Sequence, residues 1–417
     1  MNCSFRLLWM SQTLANLADS LYIVSVVTMI YQITNSAAIA SLYPLIRVGA
    51  KALSGFFSPY ILDRISHSRL LWLSELAQSL GLFLLASSSL ILSGTTLVSV
   101  SLLCVFFLSA ISGWSLPVRN TIVTYLVARD QLARANSLFA TTDSIILLAG
   151  WSMGGILVAK YGETPLLWVT AFLVLLSTIS LFFMEVPDQQ KTTDTGKASG
   201  SSLWESWRYL FHHPTLRTLS LSEVFQALGG AIWSGAIMLA FVQEVLGKGS
   251  EWWGYLNTSY FVGTILGGGI VWMVAKDLER RTSAYLLLGN IGIAVLLAFF
   301  SAFPNIWVAL LISFLIGIPY QISEVTQRTL LQKWTDPRLL AKVLAAFSTL
   351  SLSLYGVSVL ALSWLADFAG PIASYLVSSI LAIGASISAF FLYRKSVSHE
   401  TKEQLSDDNQ TNSSRVI

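Results

Sequence analysis
Apolar runs of about twenty residues, the length that crosses a bilayer as a helix, alternate with short polar connectors along almost the whole chain. Six fall in the first half, at residues 7–33, 39–62, 70–92, 97–127, 136–158 and 165–184. Six more follow at 216–245, 252–274, 283–302, 306–331, 343–365 and 372–393. The pattern predicts an all-α membrane protein of twelve transmembrane helices in two bundles, residues 1–185 and 216–395. Between them, 186–215 forms a linker, and 396–417 reads as a polar, disordered tail.

The halves echo each other in position. The second run ends in Leu62-Asp63-Arg64 and the eighth in Lys276-Asp277, and both are followed by further basic residues. The fourth run carries Val118-Arg119-Asn120-Thr121 where the tenth carries Thr326-Gln327-Arg328-Thr329. Two pseudo-symmetric six-helix bundles are the architecture of many secondary transporters, with substrate bound near the midplane between them. The linker opens with the polar stretch DQQKTTDTGKASGSS, which suits a flexible segment. It continues as SLWESWRYLFHHP, where Leu203, Trp207, Leu210 and Phe211 share one face of a short amphipathic helix expected on the membrane surface.

Composition agrees: 54% of residues are hydrophobic and 11% charged, against roughly 25% charged in soluble domains. The first apolar run is too long for a removable signal peptide, carries Asp19 and lacks a small-residue cleavage pattern. Arg64, Arg69, Arg129, Arg134, Lys276, Arg280, Arg281, Lys333, Arg338 and Lys342 all fall in connections on the linker's side, whereas the opposite side offers Lys160 and Lys248. Both termini are therefore expected in the cytoplasm. The net charge of +3 implies no nucleic-acid partner in a chain of this kind. Cys3 and Cys104 are too far apart in the predicted topology to pair. His67, His212, His213 and His399 fall in connections or the tail, no metal or cofactor motif is present, and no G-x-x-x-x-G-K-[ST] sequence suggests ATP hydrolysis. A membrane-embedded enzyme would need a nucleophile beside a base, and no such pair occurs in the spans.

Ionisable side chains within the spans are the natural site candidates, since each costs roughly 2.5 to 3.5 kcal/mol at the bilayer centre. Asp19 lies near the middle of the first span, with Lys51 at matching depth in the second and Arg47 one turn away. These predict a buried cluster of Asp19 with Lys51 or Arg47, either exchanging protons and cations or acting as a static ion pair. Glu223 and Glu75 sit nearer the linker-side ends, where gating or pairing is expected. Glu324 and Arg328 are four residues apart on one helical face. Glu324, Asp143 and Glu223, with the in-span aromatics Trp151 and Trp233, are candidate cavity residues, while Trp252 and Trp253 suit an interfacial anchor. Gly150, Gly154 and Gly155, and Gly263 and Gly267, are spaced for close helix packing.

The opening FRLLWMSQTLANLADSLY, the segment LDRISHSRLL, the stretch LARANSLFA at 132–140 and LADFAGP at 365–371 carry a resemblance. From Phe5 to about Tyr393 the chain resembles transporters of the major facilitator superfamily, in the drug/proton antiporter-like branch that includes macrolide efflux permeases. The family's loop after the second helix is similar at Asp63, Arg64 and Arg69, with Pro59 and His67 departing from it, and the resemblance implies a conformational latch there. The antiporter signature Gly-Pro-x-x-Gly-Gly is matched by Gly150, Gly154 and Gly155, with Trp151 in place of proline. The resemblance implies alternating access by a single polypeptide without cofactor. It implies export of a small amphipathic compound, with protons as the coupling partner, across a bacterial cell membrane. A siderophore exporter, a lysophospholipid flippase, a uniporter and a non-transporting sensor stay open, and a monomer is expected.

Overall fold
The computed structural model describes residues 3–34, 39, 42–62, 64–186, 202–233, 235–249 and 251–413; the side chains of Pro59, Trp151, Ser152, 202–204, 235, 236, 251 and 396–413 lie outside the description. Among the described residues the chain is helical throughout, with no strand. The first half comprises α1 (Cys3–Thr34), α2 (Leu42–Leu62), α3 (His67–Ile91), α4 (Gly94–Ser112), α5 (Ser115–Leu126), α6 (Leu132–Tyr161) and α7 (Glu163–Phe182). After the linker come α8 (Ser202–His212), α9 (Pro214–Gly229), α10 (Gly235–Ala240), α11 (Glu251–Arg280), α12 (Thr282–Ala302), α13 (Ile306–Trp334), α14 (Leu340–Ala369) and α15 (Pro371–Ser413).

Ten described spans are long and apolar enough to cross a membrane, and a bent pair built from α9 and α10 makes eleven. The remaining expected span is α2, 21 residues long, which carries Arg47 and Lys51. Packing repeats between the halves. The pairs α1·α7, α3·α7, α2·α4 and α1·α6 have their counterparts in α9·α15, α12·α15, α11·α13 and α9·α14. Two further pairs, α6·α11 and α2·α14, join the halves to each other and are also related by the same exchange. Duplication is thus visible in the contacts themselves.

Two spans expected to be continuous are interrupted, each for a local reason. The fourth is divided at Gly113-Trp114, because the ring of Pro117 opposes the carbonyl four residues before it. Gly113 is also where α2 comes close: a Cβ there would stand 2.8 Å from the Ser54 side chain. The seventh bends by 52° between Trp233 and Ile237, after the helix has tightened into a 3₁₀ turn at Gly230–Trp233 that opens on the pair Gly229-Gly230. The carbonyls freed at this bend regain partners, Leu228 from the Ser358 hydroxyl and Ile232 from Tyr375 at 3.5 Å, as buried backbone in a membrane requires.

Two expectations about the ends are corrected. α15 does not stop near Tyr393 but runs to Ser413, so the described part of the expected tail, 396–413, is helical. The stretch beyond Tyr393 carries Glu, Lys and Gln, good helix formers, and neither Pro nor Gly falls within 394–413. α8 packs against α2, α9 and α14 instead of resting on lipid alone. Leu210 and Ser206 are fully buried, whereas Phe211, expected on the same apolar face, is exposed.

Glycines govern the tightest helix contacts. Cβ atoms at Gly263 and Gly267 would meet the backbone carbonyls of Phe314 and Ile318 on α13, and one at Gly150 would meet Ser20 on α1. Gly154 sits against Val24 at 3.1 Å. Gly155 is a correction: nothing lies within 4 Å of its Cβ direction, so it packs no helix, because it points to the exposed side of α6.

Candidate substrate pathway and charge network
Five carboxylates, Asp19, Glu75, Asp143, Glu223 and Glu324, sit along the spans. Asp19 on α1 receives both terminal nitrogens of Arg47, Nη1 at 2.9 Å to Oδ1 and Nη2 on Oδ2. Lys51 is within electrostatic reach of Asp19 but forms no ion pair with it, so of the two expected partners the structure selects Arg47. Tyr43 accepts a further bond from Arg47 at 3.3 Å. Beside them, a cavity of about 30 Å³ lined by Asp19, Tyr22, Arg47 and Gln78 has room for about one water.

Asp143 on α6 accepts from Asn16 at 2.6 Å and from Arg119 at 3.2 Å. Arg119 is nearly fully buried, lies 4.8 Å from the centre of the Phe139 ring and leaves Nε and Nη2 without partners. Sequence reasoning used Arg119 only as a marker of duplication. The same correspondence, Arg119 to Arg328, is the signal that each half carries an arginine paired with a carboxylate. Across that seam, Arg328 bonds Glu324 at 2.8 Å and leaves Nη1 unpartnered, and both act electrostatically on Arg119. The side chains of Asp19, Asp143 and Glu324 are 43%, 32% and 40% exposed although they lie mid-helix. They are therefore not sealed within packed helices: Asp143 and Glu324 stand on the two sides of the seam with Arg119 and Arg328 between them, whereas the small cavity beside Asp19 is lined by the first half alone.

Glu223 differs. It is 8% exposed and accepts from the Ser351 hydroxyl of α14, with no cation at ion-pair distance among the described residues. Glu75 is also buried, bonded by Gln12 and Ser177 at 3.3 Å each. Its place in the second half is taken by Asn290, which donates to Ser222 at 3.0 Å and accepts from Ser323 at 2.7 Å.

Trp233 does not stand in an open cavity wall. It stacks on Tyr260 at 5.1 Å and meets Phe300 edge-on, joining the aromatic core of the second bundle. The Trp151 side chain lies outside the described residues, as does Asp63. Arg64 lies 4.0 Å over the ring of Tyr60 in its own half, and Arg69 is exposed. The structure brings neither arginine to the other half.

A different set of groups closes the seam at the end that carries the linker. Asn136 donates to Thr329 at 3.0 Å and to Gln332 at 2.6 Å, and Gln332 donates to the Asn120 carbonyl at 2.9 Å. The Ala133 amide donates to Glu279 at 2.8 Å, and Ser137 to the Gly268 carbonyl. Ala133, Ala140, Val271, Ala275, Leu278 and Val325 form an apolar layer from both halves beside them. Three residues of LARANSLFA, Ala133, Asn136 and Ser137, make four of these five polar contacts. Gly268 is required there, since a Cβ would collide with Thr141 across the seam. Two bundles related by pseudo-symmetry, shut against each other at one end and fronting charged side chains mid-span, make a transport architecture.

The sequence profile of the Major Facilitator Superfamily matches residues 8–351. The chain belongs to the Major Facilitator Superfamily. It is 31% identical over 382 residues to the MFS-type transporter YfmI of Bacillus subtilis (strain 168), covering 91% of this chain and 94% of that one. It is 22% identical to the multidrug efflux pump Tap of Mycolicibacterium fortuitum, over 91% and 93% of the two chains. Among solved structures it is similar to the human organic anion transporter MFSD10, with a TM-score of 0.78 at 11% identity over 93% and 99%. It is also similar to a bacterial ferroportin homologue in an outward-facing state, with a TM-score of 0.76 at 15% identity over 94% and 99%. The protein is thus a multi-pass membrane transporter and not an enzyme.

Proposed function
We propose that this transporter exports a small amphipathic compound from the cytoplasm in exchange for protons, by alternating access across a cell membrane with both termini inside. The observation that carries this reading is the set of mid-span charges, with Asp143 and Glu324 on the two sides of the seam and Asp19 inside the first bundle, and the seam closed at the linker end by the Asn136 and Gln332 contacts. Ionisable groups at that depth mark substrate and ion pathways. Asp19, Asp143 and Glu324 are each held by an arginine, so a substrate cation gains a carboxylate only by displacing one. Arg119 and Arg328 offer spare N–H groups to a substrate's anionic or carbonyl end. This favours cationic or zwitterionic compounds with an apolar body, in keeping with the efflux activity in the name of Tap. Glu223 is the proposed proton carrier, because it can exchange a proton without breaking an ion pair. It also lies within electrostatic reach of Glu324.

Proteoliposomes loaded with a pH-sensitive dye test the reading against a panel of cationic, zwitterionic and neutral amphipathic compounds. Substrate-evoked proton flux is expected in the unaltered protein, weakened by Asp19→Asn and abolished by Glu223→Gln. Substrate movement with no proton flux would make the protein a uniporter and remove Glu223 from the mechanism.

A further inference from the structure
A second cavity lies away from the mid-span charges. It sits at the linker end, has a volume of about 1120 Å³, and is ringed by the ends of α9, α11, α12 and α13 and by Leu392 and Lys395 of α15. Arg129, Lys276, Arg280, Lys333 and Lys395 line it, with His213. Opposed to these five fixed positive charges are two acids, Asp130 and Glu279. Glu279 is engaged already, accepting from the Ala133 amide at 2.8 Å, while Lys333 donates to the Glu279 carbonyl at 2.7 Å. Among the described residues Arg129, Lys276 and Arg280 have no ion-pair partner. His213 Nδ1 is a buried atom with no hydrogen-bond partner. Gathering like charges around one concave space is unfavourable unless a ligand of opposite sign occupies it, and such a cavity concentrates anions.

We propose that this cavity binds a phosphate-bearing anion. Basic pockets among helix ends at a membrane face suit anionic lipid headgroups, and the exposed Trp334 at the rim is the residue type that seats at that level. A soluble phosphate presents the same chemistry. Arg129 belongs to the first half and the other basic groups to the linker and second half, so a bound anion ties the halves together where the seam is shut. Lys276 and Arg280 take no part in the contacts that close the seam, and the site does not rest on the substrate reading above.

The test uses the full-length protein in nanodiscs of phosphatidylcholine with and without phosphatidylglycerol, and in detergent with inorganic phosphate or pyrophosphate. Retained lipid is read by native mass spectrometry, and soluble anions by thermal shift and calorimetry. Phosphatidylglycerol is expected to be retained over phosphatidylcholine, and the Lys276→Gln/Arg280→Gln double variant to lower retention by roughly tenfold or more. Both side chains are exposed, so the variant is expected to fold, as its gel-filtration profile and melting temperature without added anion will show. Lys160→Gln, at the far end, should bind as the unaltered protein does. Saturable binding of phosphate or pyrophosphate that the double variant loses, without lipid preference, assigns the site to a soluble anion. Equal behaviour of the double variant and the unaltered protein toward every probe, or no response to any, overturns the proposal.

Discussion

Asp19 and Glu223 are both carboxylates inside spanning helices, and what stands opposite each sets what it can do. Asp19 faces the guanidinium of Arg47, and removing one member of such a pair strands the other. For a fully buried pair that loss is about 3–5 kcal/mol. Because 43% of the Asp19 side chain is exposed, Asp19→Asn should cost less, about 1–3 kcal/mol. Asp19→Asn/Arg47→Gln should recover most of it. Apparent melting temperatures in detergent for the two single variants and the double form the cycle. Strictly additive losses would mean the two side chains do not act as a pair. Asp19, Glu324 and Asp143 were legible as charges in apolar runs, but their partners were only partly so. Choosing Arg47 over Lys51 takes the rotation of α2 about its axis, which spacing along one helix does not contain. Arg119 was masked because PVRNTIVTYL reads as the end of an apolar span, and its partner Asp143 comes from another helix.

At the scale of helices, position in sequence and position in packing part company at the glycines. Gly150, Gly154, Gly155, Gly263 and Gly267 look alike as a spacing pattern, yet only the face turned to a neighbour makes a glycine necessary. Gly267→Ala should press on the Ile318 carbonyl and the Gln321 Cβ at 2.7 and 2.9 Å, backbone that cannot yield easily. Overpacking of this kind costs typically about 1–3 kcal/mol. Gly155→Ala, meeting nothing within 4 Å, should fall within about 0.5 kcal/mol of the parent and lean towards stabilisation through its helix propensity. Thermal unfolding of the two alanine variants side by side checks this, and a destabilisation at Gly155 equal to that at Gly267 would refute the packing described. The same distinction explains the broken spans. Hydropathy sees residues 97–127 as one run, whereas the division at Gly113-Trp114 follows from Pro117 and from the approach of α2.

For the whole molecule, the duplication read from sequence reappears as matched contacts, but the state in which the halves meet is not a property of any one span. It depends on groups brought together from α5, α6, α11 and α13. Asn136 holds Thr329 and Gln332 at once and is 1% exposed, so Asn136→Ala leaves Gln332 Oε1 and the Thr329 hydroxyl short of a donor. An unsatisfied buried polar group costs about 1–3 kcal/mol, and every 1.4 kcal/mol is about tenfold in a population ratio. The cost falls on the closed state alone, because separating the halves exposes these groups to water. Asn136→Ala should therefore shift the balance about five- to a hundredfold away from closure at the linker end. Spin labels at Gln131 and Arg338, exposed positions in opposite halves, report that separation once Cys3 and Cys104 are changed to serine. The distance distribution should gain a longer component in Asn136→Ala, and transport should fall because the seam no longer seals. An unchanged distribution would mean that the apolar layer of Ala133, Ala140, Val271 and Val325 holds the end shut by itself, with the polar contacts only setting its register.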